Sequence, residues 1–352
     1  MAAPQPSATQ SAAAAGPDLR RRRRLAIGLL AALVLGVAAG LATGSGGFSL
    51  RGLWADLHGP DAALLIGHIR APRTLGALLI GALLGLAGAI SQGLFRNPLA
   101  DPYLLGCAAG AGLGVVLVLA AAALGGAAIS LATVAWIERT GLVAAAFIGA
   151  LAGVSLTLML AHGAAHTLRL LLAGVVVGVM LGAMSDLVTV ASPDALRGKQ
   201  AFMLGSTSFL GWPALAWLAA GLVLLMALAR RYARALDALT LGDDSAASLG
   251  LDLARVRLAL VLMLSLGTGL AVAQAGLVAF VGLVAPHLVR RAAPGAHGWL
   301  LVASAGMGAA LLLGADVISR ALIAPEELPV GVVTAVLGGM YLVWLLKQRT
   351  VS

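Results

Sequence analysis

Few side chains in this sequence are of the types that carry chemistry, and they occur in small separated groups. Asp243 and Asp244 are adjacent acids of the kind that hold Mg²⁺, and His162 and His166 have the i,i+4 spacing with which a helix chelates a metal ion. An intramembrane enzyme such as a prenyltransferase would need acidic clusters around Mg²⁺, and a metal centre would need a third ligand. The sequence offers neither, so a helix cap and a pair of loop histidines are the better interpretations.

The sequence also has no nucleotide-binding loop of the Walker A type. That loop needs a lysine that follows a glycine-rich turn and precedes Ser or Thr, because backbone amides and the lysine hold the phosphates together. Neither of its two lysines, Lys199 and Lys347, follows a G-x-x-x-x-G pattern or precedes Ser or Thr. We therefore expect any ATP-driven step to use a separate chain, with ATP and Mg²⁺ bound there and no cofactor bound here. The single cysteine, Cys107, excludes an internal disulfide.

The elements that must position these residues are strongly apolar. Of the 352 residues, 61% are hydrophobic and 11% are charged, whereas a soluble domain has about a quarter charged. Continuous apolar runs of membrane-spanning length recur along the chain and do not alternate as barrel strands do. The sequence therefore predicts an all-α polytopic membrane protein. The net charge is +9, and the basic residues behind it mostly lie beside the apolar runs. They form no basic face with aromatic residues, so nucleic-acid binding is not expected.

The apolar runs predict about ten membrane-spanning helices in one domain at residues 25–348, after a disordered cytoplasmic tail at residues 1–24. The eighth run is short for a full crossing. Residues 192–212 are too polar to span and are expected to form a short surface helix. The predicted spans are 25–43, 72–94, 104–124, 143–161, 168–190, 213–229, 258–275, 277–290, 299–321 and 330–346.

The basic residues predict the orientation of these spans. With the N-terminus in the cytoplasm, 16 of the 23 Lys and Arg residues lie on the cytoplasmic side and 7 lie outside, as the positive-inside rule requires. Both termini are then cytoplasmic. The cytoplasmic residues are Arg20 to Arg24, Arg96, Arg169, Arg230, Arg231, Arg234, Arg255, Arg257, Arg290, Arg291, Lys347 and Arg349; the outer ones are Arg51, Arg70, Arg73, Arg139, Arg197, Lys199 and Arg320.

Two sets of small residues have the spacing at which membrane helices approach closely. Such residues hold a bundle together in lipid, where burial of apolar surface gives little drive for helices to associate. We expect them to mark packed faces of the second and fifth spans. They are Gly81, Gly85 and Gly88 in the second span, and Gly174, Gly178 and Gly182 in the fifth.

The segment SQGLFRNPLADPYLLG at 91–106 interrupts the apolar pattern between the second and third spans. Asn97-Pro98 and Asp101-Pro102 both disfavour helix at the residue before proline, so neither span can continue through. The side chains of Asn97 and Asp101 are suited to hydrogen-bond the backbone groups that the two helix ends leave free. A turn needs fewer specific residues than this, which points to a further role.

Three stretches of the chain resemble the FecCD family, the permeases of iron-chelate and cobalamin ABC importers. They are RAPRTLGALLIGALLGLAGAISQGLFRNPLADPYLLGCAAGAGLG at 70–114, GLVAFVGLVAPHLVRR at 276–291, and LLLGADVISRALIAPEELPVGVVTAVLGGMYLVWLLK at 311–347. The resemblance implies the ten-span fold of type II importer permeases in a bacterial inner membrane. It also implies a homodimer that joins two ATP-binding subunits and receives cargo from a periplasmic binding protein.

The resemblance assigns a cytoplasmic structural motif to residues from two of these stretches. The motif's residues are Asn97, Pro98, Asp101, Pro102, Pro286 and His287.

The predicted cytoplasmic loop 230–257 is the candidate contact with the ATPase. Asp243 or Asp244 is suited to cap a short helix, and Gly250 is suited to the left-handed position that ends it. The helix would present its small and apolar side chains to a groove of the partner, although an ordinary capped loop helix has the same local pattern. The pattern resembles the coupling helix of these importers at Gly242, Asp243, Asp244, Ala246, Leu249 and Gly250, with Ala247 on the same helix.

Arginines at the outer side are the candidate docking residues for the binding protein. Arg70 and Arg73 flank Pro72, and Arg320 follows Asp316 by four residues. The resemblance implies that Arg70, Arg73 and Arg320 pair with glutamates of the binding protein, which the planar guanidinium group suits. Snorkelling to lipid headgroups is the alternative. The spacing of Asp316 and Arg320 also predicts an i,i+4 ion pair within the span.

One stretch near the C-terminus bears on the identity of the cargo. The stretch PEELPVGVVTA at 325–335 is similar to haem-type members of the family, so haem is favoured over a ferric siderophore or cobalamin. Such a cargo would pass along small and apolar surfaces of the fifth and tenth spans and of segment 192–212. An ion-coupled secondary transporter is the alternative of a different class. It would use acids within the membrane, for which Asp186 and Asp316 are the candidates.

Overall fold

The computed structural model describes residues 8–124 and 141–350, so residues 1–7 of the predicted tail and Arg139 lie outside the described residues. Thirteen α-helices make up most of this part of the chain. They are α1 (Ala8–Ala42), α2 (Leu50–His58), α3 (Ala71–Leu94), α4 (Cys107–Leu124), α5 (Leu142–Leu160), α6 (Thr167–Ala191), α7 (Pro193–Leu204), α8 (Trp212–Thr240), α9 (Asp243–Ser248), α10 (Leu253–Ala275), α11 (Val281–Ala292), α12 (His297–Ala321) and α13 (Val330–Thr350).

Four further elements belong to the described part of the chain. A π-helix at Ala63–Arg70 leads into α3, and a 3₁₀ helix at Pro102–Leu105 precedes α4. The two-residue strands β1 (Thr43–Gly44) and β2 (Gly47–Phe48) form an antiparallel hairpin after α1, with Thr43 opposite Phe48.

Each predicted span coincides with a helix, which confirms the predicted all-α architecture. Seven helical stretches of the described chain are long and apolar enough to cross a membrane, and α4 and α13 contain shorter apolar stretches at 107–123 and 330–345. The eighth predicted span is the short helix α11, which carries Pro286 in its interior. The short surface helix expected within 192–212 is α7.

Two boundaries differ from the prediction by more than ten residues. Helix α1 begins at Ala8, inside the segment predicted to be a disordered tail, because its alanines and arginines are strong helix formers. Helix α8 continues to Thr240, so much of the predicted loop 230–257 is helical. That extension is amphipathic, since Ala229, Ala233 and Leu236 are buried while its arginines are exposed.

Helix α3 lies at the centre of the bundle and is buried over most of its length. It packs against α8, α10, α11 and α12. A second group, α4 to α7, packs together beside it, and α10 contacts both groups. The core is formed by large side chains with almost no exposure, such as Ile80, Leu83 and Leu225, and small residues fill the gaps between helices.

Glycines set the closest helix contacts of α3. A Cβ atom at Gly88 would lie 1.7 Å from the carbonyl oxygen of Gly282, and one at Gly81 would lie 2.3 Å from that of Gly308. The prediction that Gly81, Gly85 and Gly88 mark a packed face is therefore confirmed. In α6 the prediction is wrong for two of the three positions within this chain, because a Cβ at Gly178 or Gly182 would meet nothing within 4 Å.

The chain direction of the helices defines two ends of the bundle. The C-terminal end of α3 and the N-terminal end of α10 meet near Asp243, and we call this the Asp243 end. The N-terminal end of α3 and the C-terminal end of α12 meet near Asp316, and we call this the Asp316 end. The candidate coupling residues lie at the first end and the candidate docking residues at the second.

Candidate functional site

The turn after α3 is built by side chains that bond to its own backbone. The Asn97 Oδ1 atom accepts a hydrogen bond from the Leu99 amide at 2.9 Å, and Asp101 Oδ1 accepts one from the Tyr103 amide at 2.8 Å. The Tyr103 hydroxyl donates to the Val278 carbonyl at 3.0 Å, which ties the turn to the segment before α11. Burial raises the pKa of Asp101 to about 6, against 3.8 ordinarily.

Helix α9 is a short helix whose two ends are set by glycine. Gly242 precedes it with a φ of +105°, and Gly250 follows it with a φ of +84°, and both values favour glycine over other residues. The expected cap by an aspartate is wrong, because Gly242 occupies the N-cap position and Asp243 and Asp244 lie in the first turn. In that position their negative charges interact favourably with the positive N-terminal end of the helix dipole.

The Asp243 carboxylate joins two arginines from distant parts of the chain. Its Oδ1 lies 2.9 Å from Arg96 Nη2 in the turn after α3, and its Oδ2 lies 2.7 Å from Arg257 Nη2 on α10. The hydrogen bond from Arg257, which is only 2% exposed, is the main cause of the lowered pKa of Asp243. Arg257 also donates to the Ala165 carbonyl between α5 and α6. One carboxylate thus fixes α9 directly to the turn after α3 and to α10, and through Arg257 to the turn between α5 and α6.

Helix α9 has one face against the bundle and one face free. Ala246 is fully buried, so the expectation that it is presented to a partner is corrected. Leu249 is 64% exposed, and Asp244 and Ala247 are exposed beside it. A leucine at the tip of an exposed, rigidly held helix is suited to insertion into a partner's groove.

A second set of contacts connects α3 to α11 at the Asp243 end. The Gln92 amide donates to the Leu283 carbonyl at 3.0 Å, and Arg290 donates to the Gln92 carbonyl oxygen. Gln92 therefore bridges α3 and α11. On the same short helix, the ring of His287 lies edge-on to Tyr341 with a centroid distance of 5.8 Å. Through His287, the part of the predicted structural motif that lies on α11 contacts α13.

The Asp316 end holds a buried cluster of charged residues. Asp316 is fully buried; its Oδ1 accepts from Arg73 Nε at 3.1 Å and from the Thr207 hydroxyl at 2.5 Å. Its Oδ2 accepts from Arg320, which confirms the predicted i,i+4 ion pair. Arg73 Nη1 also bonds both carboxylate oxygens of Glu327, at 2.8 and 2.9 Å. Two acids balance the two buried arginines, which would otherwise carry uncompensated charge.

The predicted docking arginines are all bonded within the chain. Arg73 and Arg320 are 8% and 3% exposed. Arg320 also donates to the carbonyls of Gly40 and Thr43 at 2.9 and 3.0 Å. Arg70 pairs with Asp56 at 2.5 Å and donates to the Leu41 carbonyl at 3.1 Å.

These arginines therefore fix the ends of α1, α3 and α12 to one another. Sequence reasoning missed Glu327 and Thr207 as members of the cluster. An acid in so apolar a chain, within a stretch that carries the family resemblance, was the available signal for Glu327.

The remaining candidates lie apart from both clusters. Asp186 on α6 forms an ion pair with Lys199 on α7, and its side chain is largely exposed. His162 lies in the turn after α5 with a φ of +55°, and His166 precedes the first residue of α6. The described residues contain no group of three His, Cys, Asp or Glu side chains that could hold a metal ion.

Comparison with known sequences places the chain among membrane transport proteins. The family model "FecCD transport family" matches residues 30–348. A "Hemin transport system permease protein HmuU" from Yersinia pestis is 38% identical over 334 residues, covering 94% of this chain and 98% of the relative. A "Vitamin B12 import system permease protein BtuC" from Klebsiella pneumoniae is 38% identical over 332 residues, covering 94% of this chain and 95% of the relative.

Comparison with solved structures agrees. A chain from an inward-facing structure of a metal-chelate type ABC transporter superposes with a TM-score of 0.80 at 26% sequence identity. The match covers 93% of this chain and 99% of that one.

Proposed function

This chain belongs to the FecCD transport family, and we propose that it is the permease subunit of an ATP-driven importer that carries a metal chelate into the cytoplasm. In this proposal two separate ATP-binding subunits hold ATP and Mg²⁺, and this chain supplies the path and the mechanical contact. The observation that carries the proposal is the geometry of α9. Its inner face is fixed by Asp243 and Ala246, and its outer face presents Leu249.

The contacts of α9 favour transmission of force over local flexibility. A movement imposed on Leu249 passes to the Asp243 carboxylate and from there to Arg96 and Arg257. Arg96 follows α3, the central helix, and Arg257 lies on α10, which contacts both groups of helices. A push on α9 would therefore reach both halves of the bundle, as a subunit driven by an external ATPase requires.

The placement in the membrane follows from the charges at the two ends. Arg22, Arg96, Arg257 and Arg290 lie at the Asp243 end, which would face the cytoplasm of a bacterium across its inner membrane. Both termini are then cytoplasmic. The Asp316 end would face the periplasm and meet the substrate-binding protein.

A second copy of this chain is the proposed partner within the membrane. Helix α6 exposes a broad apolar face that includes Leu172, Val175 and Leu187. Gly178 and Gly182 lie on the same helix with open space where a side chain would begin. Small residues in an exposed apolar face favour close approach of another helix, so α6 is the element that we expect at the dimer interface.

Docking of a periplasmic binding protein at Arg70, Arg73 and Arg320 remains part of the proposal. The carboxylates of such a carrier would have to share or replace Asp56, Asp316 and Glu327, which now occupy these arginines. Glu327 is the most exposed acid of the set, at 37% against 27% for Asp56 and 0% for Asp316, and would be displaced first. Docking would then be coupled to a rearrangement at the ends of α1, α3 and α12.

Haem is the proposed cargo, and cobalamin is the second candidate. The haem proposal has the support of the PEELPVGVVTA stretch and of the hemin permease relative. Cobalamin has the support of the vitamin B12 permease relative from Klebsiella pneumoniae, which shows the same 38% identity as the hemin permease. A ferric siderophore is the third member of the class. These cargoes differ enough in size and charge to be separated by competition in one transport assay.

An ion-coupled secondary transporter is the alternative of a different class. Such a protein needs a carboxylate that is free to gain and lose a proton or a sodium ion along the path. Asp316 bonds to two arginines and a threonine, and Asp186 pairs with Lys199. Both candidate acids are engaged in bonds within the chain, which favours the ATP-driven proposal.

The test is uptake by proteoliposomes that contain the permease with its ATPase subunits and a cargo-loaded binding protein. We expect ATP-dependent uptake of haem in preference to cobalamin or a ferric siderophore, and no concentrative uptake by the permease alone. Leu249→Arg should abolish cargo-stimulated ATP hydrolysis, whereas Leu322→Arg, at the exposed Asp316 end, should leave assembly with the ATPase intact. Concentrative uptake by the permease alone, driven by an ion gradient, would refute the proposal.

A further inference from the structure

The N-terminal arginine run is held against the bundle at the Asp243 end. Arg20 to Arg24 form the part of α1 just before its apolar stretch. Arg22 Nε donates to the Pro294 carbonyl in the turn between α11 and α12 at 3.1 Å. The other four arginines of the run are exposed. The run therefore has a fixed place on the surface of the protein.

Two more arginines lie beside this anchor, at the end of α11. The Arg291 guanidinium lies 4.9 Å from the ring centre of Trp344 and donates to Gln348 at 3.0 Å, while Arg290 bonds to Gln92. Arg291 and Pro294 are three residues apart in the sequence, at the end of α11, so both groups of arginines belong to the Asp243 end of the bundle. We call Arg20–Arg24, Arg290 and Arg291 the basic patch.

The positive charge of the basic patch is not neutralised within the described chain. None of the ion pairs among the described residues includes a member of the patch. Their observed partners are a backbone carbonyl, two glutamine side chains and an aromatic ring. A partner with a formal negative charge would therefore gain from binding here.

An exposed apolar strip continues directly from the basic patch. Ile27, Leu30 and Val34 follow the arginines on one side of α1 and are all exposed. Nearby, Trp299 donates to the Ala293 carbonyl at 2.9 Å, and Leu25 packs beside it. Tryptophan is enriched where the hydrocarbon of a membrane meets its headgroups. The surface thus combines arginines that can bind an anion with an apolar strip that follows them along α1 and can bind an acyl chain.

We propose that the basic patch is a binding site for an anionic phospholipid. The phosphodiester would lie among Arg22, Arg291 and the exposed arginines of the run, and one acyl chain would lie along Ile27, Leu30 and Val34. A soluble phosphate would use only the first part of this surface, and a nucleic acid would find no stacking platform in the apolar strip. The inference rests on the membrane placement proposed above and not on the cargo or the ATPase.

The test is lipid retention by the purified full-length permease, measured by native mass spectrometry during titration with palmitoyl-oleoyl phosphatidylglycerol or phosphatidylcholine. We expect tighter binding of phosphatidylglycerol. Arg22→Gln with Arg291→Gln should weaken it by about fivefold for each arginine removed, with little effect on phosphatidylcholine. Four arginines of the run remain in this variant, which preserves the signal for orientation. Arg51→Gln with Arg255→Gln, two exposed arginines outside the patch, is the matched control.

A second measurement needs no variant. Raising the ionic strength should release phosphatidylglycerol from the unmodified protein, because exposed charge pairs are screened by salt. Equal binding of the two lipids, or unchanged binding by the double variant, would overturn the proposal. Displacement by inorganic phosphate at matched concentration would also overturn it, since the site would then not require a lipid. The permease is tested alone, so failure here would leave the importer proposal unaffected.

Discussion

Asp316 Oδ1 on α12 lies 3.1 Å from Arg73 Nε on α3, although the two residues are 243 positions apart in the sequence. This contact joins the N-terminal end of the central helix to the C-terminal end of its main packing partner. Both side chains are buried, and Arg320 and Glu327 complete a neutral set of four charges. Ion pairs as well as packing therefore stabilise the end of the bundle that would meet a carrier protein.

Removing the central carboxylate should destabilise the fold strongly. Asp316→Asn leaves two buried guanidinium groups with one acid between them, and breaking a buried pair in this way costs about 3–5 kcal/mol. The thermal unfolding midpoint in detergent should fall accordingly. Asp186→Asn is the control, since that carboxylate is largely exposed and its pair is worth at most about 1 kcal/mol. Equal midpoints for the two variants would contradict this account.

Arg96 and Asp243, which form an ion pair at α9, should contribute unequally to stability. Arg96→Gln should cost less than about 1 kcal/mol, because both members of its pair are more than a third exposed. Asp243→Asn should cost more, since Arg257 is buried and would lose its carboxylate partner. Chemical unfolding of the purified permease measures this order.

The same substitution should affect coupling in the assembled importer. Asp243→Asn should reduce cargo-stimulated ATP hydrolysis more than the basal rate, because α9 would no longer be fixed to α10 and to the turn after α3. Asp244→Asn is the matched control, as its carboxylate is exposed and lies on the same turn of the same helix. If both variants hydrolyse ATP like the unmodified protein, α9 does not transmit movement through Asp243.

Glycines at helix contacts should differ sharply from glycines on open faces. Gly88→Ala places a methyl group 1.7 Å from the Gly282 carbonyl oxygen, so α3 and α11 must separate. We expect a large loss of folded protein on size-exclusion chromatography. Gly178→Ala meets nothing within the chain and should fold normally in monomeric form. If α6 forms the dimer interface, Gly178→Ala should weaken dimerisation instead, which sedimentation in detergent would show.

Titration of Asp101 should make stability depend on pH. Burial raises its pKa from 3.8 to about 6, so the folded state binds the proton more tightly than the unfolded state. The stabilisation is full below about pH 4 and is lost as the pH rises through 6, by up to about 3 kcal/mol. Asp101→Asn keeps an oxygen for the Tyr103 amide and should remove this slope. Unfolding measured between pH 4 and pH 7 would test it, and parallel profiles for the two proteins would contradict it.

The sequence by itself determined the architecture of the bundle. Membrane-spanning helices are specified by long apolar runs, and this signal is local, so the predicted spans coincide with helices. The turn after α3 could also be predicted, because Asn97 and Asp101 accept hydrogen bonds from backbone amides only two residues away. The i,i+4 pair of Asp316 and Arg320 is also local. The left-handed Gly250 that follows α9 is where the sequence predicts it, because that conformation is a local preference of glycine.

Only the tertiary structure decided which charged residues meet. The pairs of Arg73 with Glu327 and of Asp243 with Arg96 join segments more than a hundred residues apart, and no local pattern specifies such contacts. The same holds for the faces of α9 and α6, where Ala246 is buried and Gly178 is open. In a membrane-spanning helix, apolar residues occur on all sides, so the sequence pattern does not distinguish the packed face from the lipid-facing one. Which face is packed depends on the neighbouring helices in the assembled bundle.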